Sequence, residues 1–245
     1  MSTTSEKYKT NYLFQKVNDT VPIVFIHGVG LTKEIWEPQL NFFKKNNIIT
    51  YDLLGHGKTP LEKTQLNLDD FARQLLNLIN ELEIDKIHLV GHSIGALVAR
   101  NFASKHSYRL NSLTLYASIY KRSDEQMRVI ENRFELMKSD KPASKDRSVR
   151  RWFTENYLSE NKDMYSKIFN ILDNNDISNL LRTYKLFVRF EDDDLLLKSI
   201  DTKTLIITGQ YDVGSTPKMS QELAKMIKNS EYVEIPNGKH LCNIE

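Results

Sequence analysis

The chain has 245 residues, enough for one α/β domain with a well-filled core. Its 34 Lys and Arg against 32 Asp and Glu leave charge nearly balanced, which excludes a global pull towards nucleic acid or an anionic membrane surface. The single cysteine, Cys242, excludes an internal disulfide framework and fits a reducing cytoplasm. Met1 to Lys7 is polar and lacks the apolar segment of a signal peptide. Nowhere is there a run of about eighteen apolar residues that could span a bilayer.

Tyr8 to Val17 reads as an edge strand ended by Asn18-Asp19, and Val21 to Ile26 as a strand covered on both faces. That strand stops at His27-Gly28-Val29-Gly30. A helix is expected from about Ile35 to Lys45, with Trp36, Leu40 and Phe43 at helical spacing. Asn47 to Leu53 is a further buried strand, followed by the turn Gly55-His56-Gly57. Leu68 to Leu82 has the apolar spacing of an amphipathic helix. Lys86 to Val90 and Leu113 to Tyr116 are strands, with a helix from about Ala96 between them. Between about Tyr120 and Leu197 strand and helix cease to alternate, and helical periodicity with many charges takes over. The sheet resumes at Thr204 to Thr208, then a helix from about Pro217 to Ile227 and a last strand from Glu231 to Ile235. This order predicts a mostly parallel, doubly wound α/β sheet over residues 1–119 and 198–245, with residues 120–197 inserted as a helical cap.

Chemistry centres on Gly91-His92-Ser93-Ile94-Gly95, which joins a buried strand to a helix. In a strand–G-x-S-x-G–helix the turn is sharp, and it lifts the serine hydroxyl clear of the sheet above a helix N-terminus. Ser93 is therefore the candidate nucleophile. A serine hydroxyl needs a base. Of six histidines, His240 stands in a loop just past the last strand, at the sheet edge where the elbow also lies. His27, His56, His88, His92 and His106 sit where they read as structural or solvated. Asp212, directly after the strand ending at Thr208-Gly209, is the candidate carboxylate that orients His240. Asp52 is read as structural, bonding the Gly55-His56-Gly57 turn. The backbone N–H groups of Ile94 and Val29 are the candidate oxyanion donors.

These motifs make the chain resemble the α/β-hydrolase fold superfamily. The resembling stretches are His27-Gly28, Asp52-Leu53-Leu54-Gly55-His56-Gly57, Gly91 to Gly95, Asp212 and His240, from about residue 21 to the end. Arg151-Trp152-Phe153-Thr154 and His240-Leu241-Cys242-Asn243-Ile244-Glu245 are similar to stretches of 3-oxoadipate enol-lactonases. The resemblance implies a Ser-His-Asp hydrolase with no cofactor, acting on a small ester or lactone with an optional carboxylate. Rival readings are a C–C bond hydrolase with the same triad and a non-catalytic ligand-binding relative. Family members usually carry one more helix after the histidine loop, so the chain is expected to be either natively short or trimmed, and a missing helix is expected to expose apolar sheet surface and loosen the His240 loop.

Within the cap, Lys138 to Arg151 carries six cations against two anions. Arg150 or Arg151 is a candidate for binding a substrate carboxylate, the alternative being a solvated helix face. Trp36 and Trp152 are candidates for an apolar pocket wall. Glu191-Asp192-Asp193-Asp194 reads as solvated acid, without the companion ligands of a metal site.

Overall fold

A computed structural model describes residues 3–5 and 9–245, and its strands form one eight-stranded sheet. Four strands and a short helix precede the long amphipathic helix. They are β1 (Thr3–Thr4), β2 (Asn11–Gln15), β3 (Ile23–Ile26) and β4 (Ile48–Tyr51), with α1 (Glu37–Phe42) between the last two. Then follow α2 (Leu68–Glu81), β5 (Ile87–His92), α3 (Ile94–His106) and β6 (Leu110–Tyr116). Six helices come next: α4 (Asp124–Ser139), α5 (Lys141–Trp152), α6 (Glu155–Glu160), α7 (Lys162–Asp173), α8 (Ile177–Val188) and α9 (Asp194–Lys198). The chain closes with β7 (Thr204–Gly209), α10 (Pro217–Met226) and β8 (Ser230–Ile235).

The strand order is β1-β2-β4-β3-β5-β6-β7-β8. From β4 to β8 every neighbouring pair is parallel, and only β1–β2 and β2–β4 are antiparallel. This is the doubly wound architecture expected from the alternation of buried runs and amphipathic segments. The edge strand expected from Tyr8 begins at Asn11 within the described residues, Tyr8 itself lying outside them. The helix expected from Ile35 starts instead with a tight 3-10 turn, Lys33–Trp36, and becomes α-helical only at Glu37. Pro38 explains the boundary, since a proline without an N–H is tolerated in the first helical turn and not further in.

The core lies on both faces of the sheet. On one, α2 and α3 bury Phe71, Leu75, Leu78, Ile79, Leu97 and Phe102 against Val24, Leu89 and Leu113. α2 starts at a capping box, in which the Asn67 side chain accepts from Asp70 N–H and Asp70 accepts from Asn67 N–H. On the other face Phe25, Leu31, Ile35 and Ile48 pack with Val149, Phe153 and Ile168 of the inserted helices. The insert is thereby joined to the sheet by apolar packing as well as through the chain.

The acidic run at the end of the insert is solvated only in part: Glu191 and Asp193 are exposed as its charge predicts, whereas Asp192 is not. Asp192 is buried in an ion pair with Arg100 of α3, and both side chains are under a tenth exposed. Arg100 also donates to the carbonyl oxygen of Ile119 at 3.0 Å. Asp193 caps α9 by accepting from the N–H groups of Leu195 and Leu196, and Asp194 accepts from the Tyr120 hydroxyl and the Lys121 ammonium. The run therefore fastens the end of the insert to the point where it leaves the sheet. Removing one partner of a buried pair leaves an uncompensated charge. Arg100→Met is expected to lower the unfolding free energy by about 3 kcal/mol or more. The double variant with Asp192→Leu should recover much of that loss, read from urea unfolding midpoints.

Candidate active site

Ser93 stands between β5 and α3 with φ +57° and ψ −117°, a conformation that L-residues rarely adopt. The neighbouring glycines make the turn possible. A Cβ on Gly91 would lie 2.2 Å from the Gly95 carbonyl oxygen, and one on Gly95 would lie 2.6 Å from that of Ile26. Both are backbone atoms with no freedom to retreat. Ser93 N–H donates to the Tyr116 carbonyl oxygen at 3.0 Å, fixing the elbow to β6.

Asp212 and His240 are brought together by the ends of β7 and β8. Asp212 Oδ2 lies 2.6 Å from His240 Nδ1. Its other oxygen, Oδ1, accepts from the N–H groups of Gly214 at 2.8 Å and Ser215 at 3.0 Å, so the carboxylate is oriented from both sides. The two loops are also zipped together, with Gln210 N–H donating to Ile235 O and Tyr211 N–H to Gly238 O. Ser93, Asp212 and His240 all face one cavity of about 910 Å³.

The loop carrying His240 is held at several points. The His240 carbonyl oxygen accepts from the Tyr116 hydroxyl at 2.9 Å and from His92 Nε2 at 3.1 Å. The Trp152 ring stacks on the His240 ring at 6.1 Å between centroids, and Leu241 N–H donates to the Trp152 carbonyl oxygen at 3.1 Å. Asn243 N–H donates to the Tyr116 hydroxyl at 3.0 Å, and Gln39 donates to the Asn243 carbonyl oxygen at 2.7 Å. Tyr116 is thus a three-way junction under His240. Neither Tyr116 nor His92 was assigned a role from sequence. A strand-end tyrosine carries no local motif, and the partners of His92 lie 148 residues away.

The other sequence candidates divide. Gly28, Val29 and Gly30 line the cavity beside Ser93, and Ile94 supplies the first N–H of α3, which has no intrahelical acceptor. Arg151 and Trp152 line the cavity. Arg150 does not: it is turned to the surface and bonded to Asp146 at 2.9 Å. Trp36 does not either, because it is buried in the core against Phe25, with ring centroids 4.7 Å apart. Helical spacing places Trp36 and Arg150 on the faces of their elements that turn away from the cavity. Asp52 binds Lys33 Nζ at 3.2 Å and accepts from Lys58 N–H at 3.1 Å, a structural tie around the Gly57 turn. Burial pushes the Cys242 thiol up to about 11, so it stays protonated beside Tyr116 at neutral pH.

Against this geometry, the chain matches the family model for the α/β hydrolase fold over residues 21–245, and it belongs to that family. Two curated relatives come from Acinetobacter baylyi. One is an (E)-2-((N-methylformamido)methylene)succinate hydrolase, 26% identical over 96% of this chain and 89% of that protein. The other is 3-oxoadipate enol-lactonase 1, 26% identical over 91% of this chain and 83% of that protein. The crystal structure of the enol-lactonase from Burkholderia xenovorans superposes with a TM-score of 0.87 at 23% identity, covering 100% of this chain and 94% of that one. Among the described residues no helix is long and apolar enough to cross a membrane.

Three histidines around the site are kept neutral by burial. His27 is lowered to about 4 and His56 to about 3, and His92 lies well below the ordinary value; desolvation is the largest cause in each. His27 uses the neutral form as a clamp: Nδ1 donates to the Gly28 carbonyl oxygen at 2.8 Å and Nε2 accepts Leu53 N–H at 2.9 Å. All three pKa values are depressed relative to about 6.5 in the unfolded chain. Above pH 6.5 neither state is protonated, and stability is unaffected by these groups. As pH falls from about 6.5 towards about 4, the unfolded chain takes up protons that the native site refuses, and stability is lost by up to about 1.4 kcal/mol per pH unit for each group. Urea midpoints should therefore fall between pH 7 and pH 5. In His56→Gln the slope is expected to be shallower by about one proton's worth.

Proposed function

We propose that the chain is a serine hydrolase of a small carboxylic ester or lactone. The observation that carries this reading is the Asp212–His240 pair, 2.6 Å apart, facing the same cavity as a serine on a positive-φ elbow. Ser93 Oγ attacks the acyl carbon as His240 Nε2 takes its proton. Asp212 keeps the proton on Nδ1 and stabilises the imidazolium that forms. The amides of Val29 and Ile94 receive the developing oxyanion, each worth on the order of 3 kcal/mol in the barrier. His240 passes its proton to the leaving alcohol. It then activates water, which releases the acyl group from Ser93.

The six inserted helices act in this reading as a cap that selects substrate, because residues of α4, α5 and α8 form the wall of the cavity opposite the elbow. The enol-lactonase and enamide-type hydrolase names of the two Acinetobacter relatives support a small acyl substrate. A buried carboxylate–imidazole pair needs no metal to raise a serine's nucleophilicity, and no cofactor enters the steps above.

The test is hydrolysis of a short p-nitrophenyl ester. Ser93→Ala is expected to lower kcat/KM by at least about 10³-fold, and Asp212→Asn by about 10⁴-fold in kcat through the wrong imidazole tautomer. Equal rates for wild type and Ser93→Ala would overturn the assignment. Enol-lactones and vinylogous diketones assayed beside the ester would separate lactonase from C–C bond hydrolase.

A further inference from the structure

We propose that Asn175, in the turn between α7 and α8, is a positioning residue for the loop that presents the Val29 N–H to the oxyanion. The inference rests on the hydrolase reading and adds a residue of the insert to its machinery. Asn175 Nδ2 donates to the Gly30 carbonyl oxygen at 2.8 Å, across 145 positions of sequence. The same nitrogen donates to the carbonyl oxygens of Ile171 at 2.8 Å and Leu172 at 3.4 Å. Both belong to the last turn of α7, where carbonyls have no partner within the helix. One amide group therefore closes a helix end and holds the loop that follows β3.

Val29 lies between two peptide planes, and a side chain fixes each of them. Its N–H shares one plane with the Gly28 carbonyl, because a peptide unit is planar and trans. That carbonyl oxygen accepts from His27 Nδ1 at 2.8 Å and from Leu31 N–H at 3.2 Å, which turns the Val29 N–H the other way. The next point of freedom is Gly30, whose φ of +75° is one that residues with a side chain rarely adopt. Asn175 fixes the plane after it, through the Gly30 carbonyl oxygen. Among the described residues no other donor reaches that oxygen. Without the amide, the loop would be anchored on the His27 side and free to turn about Gly30 on the other.

The loop and the insert meet closely at this point. A Cβ on Gly30 would lie 2.9 Å from Leu172 Cδ2 and 3.5 Å from Leu180 Cδ1, so the loop is pressed against α7 and α8. Asn175 is half-buried, and its Oδ1 is buried with no hydrogen-bond partner. The amide is thus held by its donors alone, and an oxygen turned towards the Gly30 carbonyl would repel it. Oxyanion donors act because they are in place before charge develops, so slack in the loop costs rate rather than ground-state binding.

The test measures hydrolysis of p-nitrophenyl butyrate together with inhibition by butane-1-boronic acid. Ser93 Oγ adds to the boron as its proton passes to His240, and the tetrahedral borate places an oxygen where the oxyanion would lie. Asn175→Ala is expected to lower kcat at least about tenfold with KM held within about twofold, and to raise the boronate inhibition constant by the same factor as the fall in kcat. Asn175→His, which returns one N–H at Nδ1, should recover part of both. Asp176→Ala removes the cap of α8 from the same turn, where Asp176 accepts from Asn179 N–H at 2.8 Å, and should leave both at wild-type values. If Asn175→Ala does not fold, Asn175→Leu, of nearly the same shape and without donors, takes its place. An unchanged kcat, a rise in KM alone, a boronate constant that does not move, or an equal loss in Asp176→Ala overturns the assignment of Asn175. Hydrolysis by the wild type that Ser93→Ala abolishes then leaves the hydrolase reading standing. No hydrolysis by the wild type, or hydrolysis that Ser93→Ala leaves unchanged, overturns both.

Discussion

The close approach of α3 to the ends of β3 and β5 is the constraint on which the site depends. Ser93 can hold φ +57° only because Gly91 and Gly95 let backbone meet backbone at distances no side chain would allow. That approach places the first N–H of α3 beneath the serine and brings the Val29 loop beside it. Gly28 continues the same contact, since a Cβ there would lie 2.9 Å from His92 Nδ1. His92 then carries the constraint onward to the His240 carbonyl oxygen. Ser93 and His240 are therefore positioned by one continuous stack of backbone and imidazole. Burial keeps His92 uncharged, so the Nδ1 that faces Gly28 carries no proton when Nε2 donates.

The inserted helices contribute polarity of a different kind. The sheet side of the cavity offers main-chain N–H groups and one carboxylate–imidazole pair, whereas the helical side offers guanidiniums. Main-chain donors sense charge that appears during reaction, and fixed cations sense charge that the ligand already carries. Keeping the two sets on separate layers lets specificity alter by changes in the insert while the sheet-edge geometry stays as it is.

Much of this was legible in the sequence because it is local. The elbow is a contiguous pentapeptide, and Asp212 and His240 each follow a buried run within a few residues. Parallel topology carries all three to one sheet edge without further information. What escaped notice depends on partners remote in sequence. Asp192 looks like solvated acid until Arg100, 92 residues earlier, is brought against it. Trp36 and Arg150 have the residue type for a pocket wall, yet the helix phase turns one into the core and the other to the surface. Arg122 and Arg133 line the cavity from before α4 and from within it, and no local motif marks either of them in the sequence.

The seam between α5 and the segment after His240 determines how the molecule admits anything at all. Trp152 gives its carbonyl to Leu241 and its ring to His240, Lys239 Nζ donates to the Arg150 carbonyl oxygen at 3.3 Å, and Thr154 is bonded to Glu245. The roof is thus riveted on the side of His240. Lifting it there would drag His240 off Asp212. The last turn of α5 thereby couples the roof of the cavity to the Asp212–His240 pair, so a change that loosens one loosens the other.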